Sequence, residues 1–174
     1  SYGLRFEKKH MEGALSEAEA NLYYNDIDHV MDNYTLRDPD PAGPMPMAMA
    51  SNVAHRTAGG RAALTWRGAQ WDLTGGVDAR ASRHSRRSAM GRGAYLAQPW
   101  EVDARFRQAG AFAEMHWHLS QRHHLVGGAR VDRAEAEDRL MHAGGGGHGH
   151  GHGGSAMPNP TAGMTRSNTL PSAF

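Results

Sequence analysis

Hydrophobic and polar positions alternate along most of this chain, in runs broken by Gly, Pro and charged clusters. Successive side chains of an extended backbone point to opposite faces, so each run predicts a β-strand. In residues 2 to 9, Tyr2, Leu4 and Phe6 oppose Arg5 and Glu7. A short polar turn through His10 to Leu15 leads into the longest run, where Ala18, Ala20, Leu22 and Tyr24 oppose Glu17, Glu19, Asn21, Tyr23 and Asn25. The polar parity continues upward through Ile27, His29 and Met31. Asp38-Pro39-Asp40-Pro41-Ala42-Gly43-Pro44 cannot be regular structure and predicts a long loop over about 32 to 53.

The third strand is expected over Ala54 to Arg67, with Ala58, Ala62, Leu64 and Trp66 opposite Thr57, Arg61 and Thr65. After a tight turn, Trp71, Leu73, Val77, Ala79 and Ala81 oppose Asp72, Thr74, Asp78 and Arg80. The basic stretch Arg83-His84-Ser85-Arg86-Arg87 is read as opening a second loop that runs to Trp100. In the fifth strand, Glu101 to Leu119, Val102, Ala104 and Phe106 share one parity and Ala109, Ala111, Ala113, Met115 and Trp117 the other, which predicts a bulge near Arg107. A turn through Gln121 to His124 precedes a sixth strand, with Leu125, Ala129 and Val131 opposite Arg130 and Asp132. A third loop over about 136 to 165 is followed by a seventh strand that begins near Arg166.

Connections after the first, third and fifth strands are short, and those after the second, fourth and sixth are long. That asymmetry, strands of about 10 to 18 residues and one apolar face set against one charged face are what a membrane barrel needs. Trp66 and Trp71 bracket one turn on the apolar face, as an interfacial aromatic girdle would. The fold class is all-β: an antiparallel transmembrane β-barrel segment of about seven strands, with short periplasmic turns and long extracellular loops. A soluble β-sandwich leaves the repeated split between aliphatic and charged faces unexplained.

Composition sharpens this picture. The chain has 174 residues, 22 of them Gly, and is poor in large aliphatic side chains, so a water-soluble core would be thin. Net charge is +1, which implies no general polyanion and no nucleic-acid partner. With no Cys there is neither a disulfide framework nor a thiolate site within the chain. No apolar run approaches the roughly 20 residues of a membrane helix, which leaves a barrel open. Neither a nucleophile triad, nor paired carboxylates, nor a phosphate loop stands out, so the chain is not read as an enzyme.

The candidate chemistry lies in His29 and Met31. Two apart on one strand, they project side by side, and an imidazole next to a thioether suits copper, Cu(I) above all. Met45, Met47 and Met49 repeat the spacing in the following loop, as a soft-metal relay at the mouth of the barrel. His148, His150 and His152, spaced by glycines, resemble a flexible chelator of Cu(II), Ni(II) or Zn(II). Arg83, Arg86, Arg87 and Arg92 are candidate contacts for lipid phosphates. His116, His118, His123 and His124 cluster near a short turn and receive no role.

Leu4-Arg5-Phe6-Glu7-Lys8-Lys9, His29-Val30-Met31-Asp32-Asn33-Tyr34 with the Met/Pro loop, and Gly127-Gly128-Ala129-Arg130-Val131-Asp132 together resemble the barrel of TonB-dependent outer-membrane copper receptors. The resemblance extends over nearly all of residues 1–174, read as a partial barrel without the plug domain and remaining strands. It implies import of copper across the bacterial outer membrane, with His29 and Met31 as part of an external copper site and further donors from the plug. It also implies three partners: outer-membrane lipid, the copper ion, and the TonB energising complex acting through the plug. A barrel segment that receives another metal or a metal chelate is the alternative.

Overall fold

The computed structural model describes residues 1–139 and 161–173; the tract holding His148, His150 and His152 lies outside the described residues. Among the described residues seven strands form one antiparallel sheet in sequence order. They are β1 (Tyr2–Lys8), β2 (Leu15–Asp32), β3 (Met49–Arg67), β4 (Trp71–Met90), β5 (Glu101–His118), β6 (His124–Asp138) and β7 (Thr165–Ala173). A short 3-10 helix, Ala94–Ala97, interrupts the connection from β4 to β5. Among the described residues no helix is long and apolar enough to cross a membrane.

Because the order is a simple meander, the turns 9–14, 68–70 and 119–123 lie at one end, and the connections 33–48 and 91–100 lie at the other together with Asp138 and Thr165, the residues that end β6 and begin β7. The expected alternation of short and long connections is therefore present, and His29 lies at the end opposite the Trp66/Trp71 turn.

Register fixes the faces, since directly paired residues share a side of the sheet. Phe6, Ala20, Ala62, Val77, Ala111, Val131 and Pro171 form one continuous row. Leu22, Leu64, Leu73, Ala113 and Ala129 lie on the same side, with Trp66, Trp71 and Trp117 toward the turn end. On the other side Asn21, Arg61, Asp78, Gly110 and Asp132 make a polar row. A one-residue slip would exchange the two sets, so both groups of sequence-assigned residues fall on their expected sides.

A single sheet has no second layer, and little is buried. Among the described residues the buried apolar ones are Ala50, Ala54 and Ala63, while Leu22, Val77 and Val131 are 60%, 57% and 46% exposed. Such an apolar face is unfavourable in water, by about 25 cal/mol per Å² left uncovered.

Two strand boundaries and one bulge differ from the sequence expectation. β3 begins at Met49 rather than Ala54, and β4 runs through the basic stretch to Met90, with Arg83 to Met90 paired to β3 residue by residue. Backbone pairing continues there although apolar and polar residues no longer alternate, so the pattern fades where the ladder does not. The bulge also moves. Arg107 pairs regularly with Ala81, and the shift lies between His84 and Ser85, where Asp103 is the extra residue on β5. Phe106 consequently joins the polar side opposite Ser82. Its two direct partners, Ser82 and Ala136, are both small, a feature that parity cannot reveal.

Candidate metal centre

His29 and Met31 occupy the loop end of β2, opposite Val53 and Ser51 of β3, on the side of Arg61 and Asp78. Both are exposed, Met31 by 52%. Their neighbourhood is held by a residue on the reverse side. Asn52, 1% exposed, donates its amide to Asp28 and to the His29 carbonyl at 3.3 Å, and accepts from Arg87 Nε at 2.9 Å. Arg87 stacks on Trp100 at 4.5 Å and donates to the Leu96 carbonyl at 3.3 Å. The segment carrying His29 is thus tied to β3, β4 and the 3-10 helix. Asn52→Ala is expected to cost about 1–3 kcal/mol, because it removes three hydrogen bonds of one buried amide, two of them to charged partners; the shift of the unfolding midpoint checks this.

The Met run is fixed from β2 as well. Asn33 donates its side-chain amide to the Met47 carbonyl at 3.0 Å and accepts from the Met49 N–H at 2.8 Å. Asp32 accepts the Thr35 hydroxyl at 2.5 Å and the N–H groups of Tyr34 and Thr35 at 3.0 and 2.6 Å, and these bonds, the hydroxyl first, hold its carboxyl below the usual carboxylate range. Met45 and Met47 remain exposed in the connection, whereas Met49 is the first residue of β3. Directly opposite Met49 stands Met90, 62% exposed, so a second thioether joins the same side from β4. Met90 escapes the sequence reading because β4 was expected to end before it.

A histidine pair also comes from register alone. His55 and His84 face each other on β3 and β4, level with Ile27, their rings in edge contact at 5.7 Å. The bulged Asp103 carboxylate meets His84 Nδ1 at 2.7 Å. Neither histidine carried a sequence motif; only the pairing of distant strands joins them. Among the described residues no group of three or more His, Cys, Asp or Glu is disposed to hold a metal ion.

The arginines expected to reach lipid phosphates divide differently. Arg87 is engaged with Asn52 and Trp100, and Arg92 ion-pairs with Asp38 and lies over Tyr34 at 5.4 Å. Arg83 instead joins Arg56 and Arg105 in a row at the upper margin of the apolar side, while Arg86 belongs to the polar side.

No protein-family model matches the chain, and no curated protein sequence matches it. Among solved structures the chain is similar to the copper transporter OprC, with 44% sequence identity and a TM-score of 0.86 over 98% of this chain. It spans 27% of the length of that protein.

Proposed function

We propose that the chain is part of the β-barrel of a bacterial outer-membrane receptor that binds copper at its outer mouth and imports it by TonB-dependent active transport. The observation that carries the reading is His29 beside Met31 at the loop end of the polar side, in a chain 44% identical to a segment of a copper transporter. In this reading the apolar side meets lipid, the polar side lines the lumen and the long connections face outward. The energising complex acts through a plug domain that supplies the remaining donors.

The donor chemistry fits copper. A thioether keeps its lone pairs at any pH, and an imidazole with an ordinary pKa near 6.5 is mostly neutral at pH 7, so neither must lose a proton to bind. Sulfur beside nitrogen favours Cu(I) over hard cations. Met49 and Met90, one step above Met31, extend the sulfur surface toward the outside. The role is binding and passage of an ion, with no catalytic step.

The test is the copper content of the intact purified protein carrying His29→Ala and Met31→Ala. Copper should fall by roughly 10-fold or more, since even outer-shell partners of metal ligands are worth that much. Deleting residues 144–154 serves as a separate control and should leave most copper in place. Unchanged copper in the double variant, with complete loss on deleting the tract, would move the site to the glycine-histidine tract.

A further inference from the structure

We propose that the hairpin joining β5 to β6 carries a second metal site, for a borderline divalent cation such as Zn(II), Ni(II) or Cu(II), with the Nδ1 atoms of His118 and His124 as its ligands. It lies at the opposite end of the sheet from His29 and Met31 and does not depend on the copper reading.

The hairpin positions the two rings. His118 and His124 are the last directly paired residues before the turn, so their side chains leave the same side of the sheet next to each other. Leu119 closes the turn by donating its N–H to the His123 carbonyl at 3.0 Å. His118 is also tied to the neighbouring turn, donating its N–H to the Gln70 carbonyl at 2.8 Å. The rings meet edge to face, centroids 5.1 Å apart and planes at 84°. Their Nδ1 atoms converge to 3.0 Å. Two nitrogens bound to one ion at about 2.0–2.1 Å in tetrahedral geometry lie roughly 3.3 Å apart, so the spacing already suits an ion once both rings turn their Nδ1 lone pairs from each other toward a shared point.

The protonation pattern favours metal as well. His118 Nε2 lies 3.1 Å from Asp72 Oδ2, and an ionised carboxylate can only accept, so the Nε2 nitrogen carries the hydrogen. That leaves the Nδ1 lone pair of His118 pointing at His124. A carboxylate behind an imidazole, setting its tautomer and raising its basicity, is the outer-shell arrangement of many metal-bound histidines. Asp72 is itself steadied by Arg67, which donates Nε–H at 3.0 Å. Without metal, His124 donates its Nδ1–H to His118. With metal, His124 holds that hydrogen on Nε2, and no net proton is released.

Two neighbouring histidines are engaged elsewhere. His116 Nε2 contacts Glu114 at 2.7 Å, and His123 Nδ1 contacts Ser120 Oγ at 3.0 Å. Water completes the coordination shell. Two imidazoles and no thioether give this site a harder character than His29 with Met31, so the two ends of the sheet select different cations.

Zn(II) is the probe, titrated calorimetrically into the intact purified protein with His29, Met31, His148, His150 and His152 all replaced by Ala. One zinc-binding event is expected in this background. His118→Ala and His124→Ala should each abolish it, Asp72→Asn should weaken it roughly 10- to 100-fold, and His116→Ala should leave it unchanged. His124 is exposed and its Nδ1 bonds only His118 among the described residues, so His124→Ala tests the ligand without loosening the Asp72 contact. Absence of the event in the background protein, or its survival in His124→Ala, would overturn the site.

Discussion

Replacing Val77 with Arg is expected to destabilise the folded protein in phospholipid vesicles by about 2–4 kcal/mol, the effect of a cation on the lipid face near the bilayer midplane. Val77 stands in the row Ala20, Ala62, Ala111 and Val131, with Trp71 and Trp117 toward the turn end. Toward the loop end the same side turns charged at Asp26, Arg56, Arg83, Arg105 and Glu137. Between these limits β4 runs from Trp71 to Ala81, which matches the roughly 9–11 residues of a tilted membrane strand. The companion substitution is Ala134→Arg, on the polar side opposite Gln108, where a cation would meet the water-filled lumen. Urea unfolding followed by tryptophan fluorescence should find Ala134→Arg within about 1 kcal/mol of the parent. The reverse ranking would assign lipid to the other side of the sheet.

What the chain discloses about its fold depends on height along the strands. Within the apolar band, Leu22, Ala62, Leu64, Val77 and Ala111 alternate with charged and small polar residues, and parity alone assigns them correctly. Above the band, Asn52, Ser85, Arg86 and Arg87 give no alternation, yet the ladder continues through them to Met49 and Met90. Strand ends are therefore hidden in the sequence where the contrast between faces vanishes. The bulge was misplaced for a related reason, because Phe106 on the polar side mimics a change of parity while Asp103, the true extra residue, looks like any exposed acid.

The candidate site divides along the same line. His29 and Met31 are neighbours in sequence and needed only the period of a strand to be joined. Met90, His55, His84 and the pair His118 with His124 are brought together by pairing of different strands, information that spacing within one segment does not hold. Asn52 is hidden in another way. An Asn in a loop-like stretch reads as a turn residue, and only burial to 1% exposure between Asp28 and Arg87 reveals it as a clamp.

Arg130→Ala is expected to lower the urea unfolding midpoint below that of the parent, by less than breaking a fully buried pair does. The guanidinium donates Nη1–H and Nη2–H to Asp78 at 2.8 and 3.0 Å, and Nε–H and Nη2–H to Asp132 at 2.7 and 2.6 Å. One cation thereby holds two carboxylates from β4 and β6 across β5, and the bidentate geometry fixes the register of three strands. Water still reaches the group, since the Arg130 side chain is 29% exposed, which is why the effect is placed under that of a dry pair. Gly110, paired with both Asp78 and Asp132, makes the arrangement possible, because a Cβ there would collide with Arg130 and Asp132. Removing Arg130 leaves two like charges facing each other over Gly110 with no counter-ion between them. Asp78→Asn with Asp132→Asn in the Arg130→Ala background should then recover about half of the loss, because neutral amides end that repulsion. Urea unfolding midpoints of the three proteins decide the matter. An Arg130→Ala protein whose midpoint matches that of the parent would mean that water screens the triad as it screens a surface pair.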